Sequence, residues 1–257
     1  MSIYQHFRYE EIETVKVLED LVAQAKSQYA PILTHFLDPR QQFILTTLVN
    51  RTDLNVSFYG GSGERERVRA LIYPEYYEVQ QEDFEVSAFK VKYAQKFVTL
   101  THRNVLGALM QLGFKREYLG DIIIGDELQI VIASHLNDYL VQHLTKLKGS
   151  TVKLIAIDAD TLNEAVETYQ SHHATVSSLR LDVVVAEMMR KSRAIAQKHI
   201  EAGHIKVNHV IIDKVSFVIA SGDTLSIKGY GRAQLTEIGD LTKKNKNRIT
   251  YKTLFNQ

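Results

Sequence analysis

The sequence predicts an α+β chain built from three small domains. A mostly helical N-terminal domain spans residues 1–76. A ferredoxin-like β-α-β-β-α-β domain spans 77–170. A module of two helices and a hairpin, followed by a basic tail, spans 178–257. Three observations predict this division. Apolar residues recur at helical spacing through the first fifty positions. Between residues 84 and 157, runs that alternate like strands exchange with runs that repeat like helices. The last third is basic and holds two short helical patterns, a tight turn and strand patterning within one small segment. With 45% hydrophobic residues, 257 positions supply two or three small cores more naturally than one.

The N-terminal elements follow in order. Ile12, Val15, Leu18, Val22 and Ala25 form one helical stripe. Asp38-Pro39 reads as an N-cap with Pro at the first helical position. The helix behind it is expected to turn Phe43, Ile44, Leu48 and Val49 inward. Asn55–Tyr59 patterns as a strand. Gly60-Gly61-Ser62-Gly63 then turns the chain into a third helix over residues 63–71, with Ser62 as its cap.

The pattern changes at the second domain. Phe84–Tyr93 alternates like a half-buried strand. Thr101–Leu112 is helical and stops at Gly113. Residues 121–125 and 128–133 are apolar strand runs joined by Asp126-Glu127. Ser134–Leu147 reads as a helix and Val152–Ile157 as a last strand. That order is the split βαβ plan. Many RNA-recognition domains share it, and so do unrelated proteins, so the plan assigns no function. Thr161 and Glu164 form a capping box with a short helix expected after it. Gln170–Ser178 is polar and unpatterned and reads as a linker.

In the third domain, Asp182–Met189 is a helix with Val184, Val185 and Met188 available to a core. Ser192 caps a second helix running to about Ala202, and Gly203 suits its left-handed end. Ile205, Val207, Val210 and Ile212 supply strand patterning. Ser221-Gly222-Asp223 turns into another strand, and Gly229 and Gly231 allow a bend before Arg232.

Charge is distributed unevenly. From Ser178 onward there are 14 Lys and Arg against 7 Asp and Glu, a net +7, while the rest of the chain is −6. A basic module on a mildly acidic body suits a polyanion-binding face. The second helix carries the strongest pointer. Arg193 sits in its first turn, where the macrodipole favours an anion, and a phosphate there would also meet free backbone N–H groups. Arg190, Lys191 and Lys198 lie nearby, and Lys243, Lys244, Lys246 and Arg248 stud the tail. No run of eighteen apolar residues marks a transmembrane helix. The first residues lack the apolar region of a signal peptide. Cysteine is absent, which excludes disulfides and thiolate metal sites and fits a cytoplasmic protein.

Arg180-Leu181-Asp182, Ser192-Arg193, Gly203-His204-Ile205-Lys206-Val207-Asn208, Gly222-Asp223 and Gly231-Arg232 stand in one order across some 55 residues. This string resembles the RNA-binding domain first seen in ribosomal protein S-four. It departs at His199, where the family buries Leu, at His209, where Gly is frequent, and at Val215, where Pro is frequent. The resemblance implies that Arg180, Ser192, Arg193, Lys198 and Lys206 face RNA, and that Asp182 orients Arg180 or caps its helix. Upstream, residues 36–40, Gly60-Gly61, residues 100–107, residues 112–116 and residues 119–122 extend the likeness to nearly the full length. Together they resemble the bacterial YlmH-type proteins, with Asn104 where Asp is expected. That family implies a helical N-terminal domain, a central domain assigned to RNA binding and a C-terminal S-four domain. It implies a link to cell division and to ribosome quality control. In the central domain, Arg103 and the Lys115-Arg116 pair flank opposite ends of one helix and form a possible second RNA surface.

Other chemistry is not supported. Arg180-Leu181-Asp182 is like the catalytic string of pseudouridine synthases, but Val183-Val184-Val185 follows it inside the binding module, so Asp182 reads as structural. Residues 60–63 are not a phosphate-binding loop, because no Gly-Lys-Ser/Thr follows. His172-His173 lacks metal-ligand spacing. Asp158 and Asp160 suit helix capping. No catalytic set can be argued, and no cofactor or metal is implied.

The expectation is therefore a non-enzymatic, cytoplasmic, monomeric RNA-binding protein of the translation apparatus. It would dock on structured rRNA and tRNA, on the large ribosomal subunit, in quality control or rescue. Membrane insertion and DNA binding are not expected. The alternatives are an RNA-modifying enzyme that uses the C-terminal domain as a targeting arm, and a cell-division interaction protein.

Overall fold

The computed structural model describes Phe7 and residues 11–164 and 169–255. The chain divides into two compact units, Met1–Val166 and Glu167–Gln257. The first unit begins with α1 (Ile12–Gln28), β1 (Ile32–Leu37), α2 (Pro39–Val49), β2 (Leu54–Tyr59) and β3 (Val68–Pro74). The strands form an antiparallel sheet in the order β1-β3-β2. α1 buries Val15, Leu18, Val22 and Ala25, the expected stripe. Asp38 caps α2: its carboxylate accepts the backbone N–H groups of Arg40 and Gln41 at 3.0 Å each, and the Gln41 side chain accepts from the Asp38 N–H at 2.9 Å. Ile44, Leu45, Leu48 and Val49 face inward. Phe43, expected inside, is 56% exposed and lies under the Arg40 guanidinium.

The third helix expected over residues 63–71 does not form. Asp121 accepts the backbone N–H groups of Glu66 and Arg67 at 2.9 and 3.0 Å, and the chain then enters β3. Because β3 is the central strand, both its edges are paired. Ala70 and Ile72 pack beneath the helices. Strand pairing on two sides outweighs the modest helix propensity of a Glu- and Arg-rich run.

The second half of this unit holds β4 (Val86–Lys92), α3 (His102–Gln111), β5 (Leu119–Ile124), β6 (Leu128–Ala133), α4 (Asn137–His143), a short hairpin of β7 (Lys146–Leu147) and β8 (Ser150–Thr151), and β9 (Lys153–Ile157). The antiparallel sheet runs β5-β6-β4-β9, the ferredoxin-like order. α4 is shorter than the helix expected over 134–147. Lys148 and Gly149, both at positive φ, turn the chain into the β7–β8 hairpin instead. The helix expected after the capping box at residues 161–164 lies outside the described residues.

This sheet is covered on both faces. Leu128, Ile130 and Ile132 of β6 face the core formed with α3 and α4. Val131 and Ala133 face Phe36, Ala159 and Leu162. Gly120 permits the Phe36 contact: a Cβ there would fall 2.8 Å from both Phe36 Cε1 and Val131 Cγ1. Buried Arg67 ties the layers, donating to the carbonyls of Leu119 at 2.9 Å and Phe36 at 2.8 Å.

The second unit contains β10 (Gln170–Val176), α5 (Leu181–Met189), α6 (Arg193–Glu201), β11 (Ile205–Val207), β12 (Val210–Ile211), β13 (Thr224–Ile227), β14 (Gly231–Leu241) and β15 (Asn247–Phe255). Their sheet order is β10-β15-β14-β13-β11-β12. Leu181, Val184, Val185, Met188, Ala196 and Ile200 pack the helix pair onto one sheet face. Residues 170–176, expected as linker, form β10, paired with β15 along all seven residues. Its inward positions are only partly apolar (His172, Ala174, Val176), so alternation is hard to see in the sequence. Asn208 and His209 form the two-residue turn between β11 and β12 with φ of 48° and 70°. That geometry explains why glycine suits position 209.

Candidate nucleic-acid interface

The site is built on the α5–α6 helix pair. α5 is closed by Arg190 in the left-handed conformation, with φ 52°, and only Arg190, Lys191 and Ser192 separate it from α6. The Ser192 side chain accepts from the Ile195 N–H at 3.4 Å and starts the second helix. This tight connection brings the first turn of α6 against the first turn of α5.

Asp182 lies at the centre of that contact, with its side chain fully buried. It accepts from Arg180 Nε at 3.1 Å and Nη2 at 3.3 Å, from Arg193 Nε at 2.8 Å, and from Gln197 Nε2 at 2.9 Å. Burial alone raises a carboxyl pKa. Here the hydrogen bonds from Arg180, Gln197 and Arg193, with the Arg193 charge, outweigh burial and hold Asp182 down at about 2. The carboxylate is ionised at neutral pH and has no free face for a substrate, which fits its reading as structural.

The anion that the start of α6 calls for is thus supplied from within the chain, not by a phosphate alone. Arg193 and Arg180 share one negative charge, which leaves the three groups with a net single positive charge. Both guanidinium groups still reach solvent, at 52% and 38% side-chain exposure. Arg190 and Lys191, in the link between the helices, and Lys198, on α6, are exposed and make no ion pair among the described residues. Gln197, one helical turn after Arg193, was not singled out by the sequence. Its spacing is the signal that could have found it.

The basic tail is an ordered hairpin of β14 and β15. Thr242 and Lys246 close its turn, their backbones bonded at 2.8 Å, so Lys243 and Lys244 sit at the tip. Lys246 joins Arg190, Lys191 and Glu187 around an open cavity of about 460 Å³. The tail thereby extends the helix-pair cluster. Lys206, Arg232 and Arg248 do not join it. Lys206, Ser226 and Arg232 are cross-strand neighbours on one sheet face, while their neighbours Val207, Leu225 and Ala233 point to the core beneath the helices. Arg248 likewise alternates with inward Ile249. These three lie on the face opposite the helix pair.

In the first unit, Arg103 is exposed in the first turn of α3. Lys115 is 3.8 Å from Glu117, and Arg116 Nη1 donates to the carbonyls of Leu119 and Gly120 at 3.0 and 3.1 Å. Arg116 therefore spends donors on its own backbone. His172 and His173, set aside as linker residues, stand on β10, where His172 stacks on Tyr251. Among the described residues no helix is long and apolar enough to cross a membrane.

Three family profiles match in series. "YlmH, N-terminal" matches residues 10–77, "Putative RNA-binding domain in YlmH" matches 79–161, and "S4 domain" matches 179–225. The "Ribosome-associated protein quality control protein P2" of Bacillus subtilis (strain 168) is 41% identical over 251 residues, covering 97% of this chain and 98% of the relative. The solved structure of "Cell division protein ylmH from Streptococcus pneumoniae" is 33% identical with a TM-score of 0.53, covering 61% of this chain and 96% of that one. On the matched series of domains and the near-complete coverage of a relative, the chain belongs to the YlmH family.

Proposed function

We propose that this chain is a non-enzymatic, cytoplasmic RNA-binding factor that docks on structured rRNA and tRNA of the large ribosomal subunit during quality control. The observation that carries this reading is the Asp182-anchored Arg180 and Arg193 pair, on a helix pair that also carries exposed Arg190, Lys191 and Lys198 and, with Lys246, borders an open groove. The anchoring fixes two guanidinium groups before RNA arrives, which lowers the entropy lost on binding. The surrounding side chains supply phosphate contacts, and such contacts position a protein without reading sequence. The name of the Bacillus subtilis relative, a ribosome-associated quality control protein, supports the same setting. The central domain contributes less, because the sheet face through which an RNA-recognition module stacks bases is filled here by Phe36, Ala159 and Leu162.

Co-sedimentation with separated ribosomal subunits tests the reading. The wild-type chain is expected with the large subunit, and a Lys191→Glu, Lys198→Glu double variant is expected to stay in the supernatant. Equal co-sedimentation of both would overturn it. A cell-division role is the second reading, favoured by the name of the Streptococcus pneumoniae relative. Partners that survive nuclease treatment of an extract would support that reading.

A further inference from the structure

A second cavity, of about 500 Å³, opens between the end of α5 and the β10–β15 edge of the sheet. Its walls are unlike the cation cluster. Tyr251, His172, Met189, Tyr230 and Phe255 line it, with Arg190 at the boundary. His172 is stacked on Tyr251 with centroids 5.0 Å apart and planes at 28°, and its Nε2 lies 2.8 Å from Thr253 Oγ1. Tyr230 and Phe255 meet edge to face at 5.8 Å. The ring orientations are therefore set before any ligand enters.

Arg190 connects this cavity to the cation groove, since it lines both. It also occupies a left-handed helix end, where glycine is the inexpensive choice. The backbone there tolerates a conformational cost, and the side chain stands between a phosphate-binding groove and an aromatic slot. A volume of about 500 Å³ falls in the range of small-ligand sites and accommodates one nucleotide.

We propose that this cavity takes one unpaired nucleobase of the bound RNA, stacked against the aromatic wall, with the adjoining phosphate on Arg190. The inference rests on the RNA-docking reading and deepens it: the helix pair would hold duplex backbone while the β10–β15 edge captures a flipped or terminal base. Stacking is the suitable interaction because every base presents a π face, and aromatic side chains bind it with little sequence preference.

The test uses the full chain and two RNA hairpins of equal duplex length. One is blunt and the other carries a single-stranded extension containing a fluorescent adenine analogue. The extended RNA is expected to bind roughly tenfold more tightly, after correction for its added phosphates, and its fluorophore is expected to be quenched on binding. His172→Ala is expected to abolish both differences while leaving blunt-hairpin affinity unchanged. Phe255→Leu keeps apolar bulk and removes a ring; it is expected to weaken the quenching, which guards against a mere folding defect. Equal affinity for both hairpins with no quenching would overturn the base site and leave the phosphate reading standing. Binding to neither hairpin would overturn both.

Discussion

Arg193 Nε donates to Asp182 at 2.8 Å across the turn that joins α5 to α6, so the first cation of α6 is anchored by a buried carboxylate from the preceding helix. The contact ties the fold of the module to the presentation of its charge. A cation left free at that helix start would oppose the macrodipole. Held by Asp182, it is presented to solvent in one orientation.

Asp182→Asn is expected to destabilise the C-terminal unit by about 2–3 kcal/mol, because Arg180 and Arg193 lose a charged acceptor whose burial they offset. Chemical denaturation followed by hydrogen exchange in α5 checks this. An unchanged midpoint would mean that the anchor contributes nothing to the fold.

The same residue sets a pH dependence. Its folded pKa, about 2, lies below the ordinary 3.8, so its contribution is complete above the ordinary value and is lost as pH falls through the folded one. The stability difference between wild type and Asp182→Asn should be flat from neutral pH to about pH 5 and should shrink below about pH 4. A difference that grew on acidification would contradict the assignment.

Arg193→Glu is expected to impair folding and binding together, since it sets a second carboxylate against Asp182. Lys191→Glu and Lys246→Glu break no ion pair among the described residues, though both lysines share an open groove with Glu187. They are expected to leave the melting temperature within a few degrees while each makes the salt dependence of RNA binding shallower by about one. Circular dichroism with titrations at several salt concentrations separates the two behaviours.

Phe36 and Gly120 give a test in the first unit. Phe36→Ala is expected to cost about 3–5 kcal/mol. Gly120→Ala should cost about 1–3 kcal/mol by forcing Cβ against Phe36 and Val131. Thermal unfolding measures both. Neither change should alter RNA affinity at temperatures where the chain is folded. A specific loss of binding would restore the central sheet as an RNA surface.

Much of the fold could be read from local signals. The capped helix after Asp38, the β-α-β-β-α-β order and the α5–α6 pair all carry caps, glycine stops or clear apolar periods. What could not be read depended on partners far along the chain. β3 looked helical because the Glu- and Arg-rich run of residues 64–67 leading into it favours helices, and only pairing with β1 and β2, with Asp121 holding its entry, makes it a strand. β10 looked like a linker because its pairing partner lies some eighty positions away. The cations were visible as residue types. Their sorting was not: strand register places Lys206, Arg232 and Arg248 away from the helices, and the hairpin turn carries Lys246 towards them.

Binding of the large ribosomal subunit measured against salt concentration tests the central claim most directly. With Arg190, Lys191, Lys198, Lys246 and the shared Arg180–Arg193 charge engaged, the log–log slope should be about −4. The Lys191→Glu, Lys246→Glu double variant should be shallower by about two. A wild-type affinity indifferent to salt, or a double variant with the wild-type slope, would contradict the account.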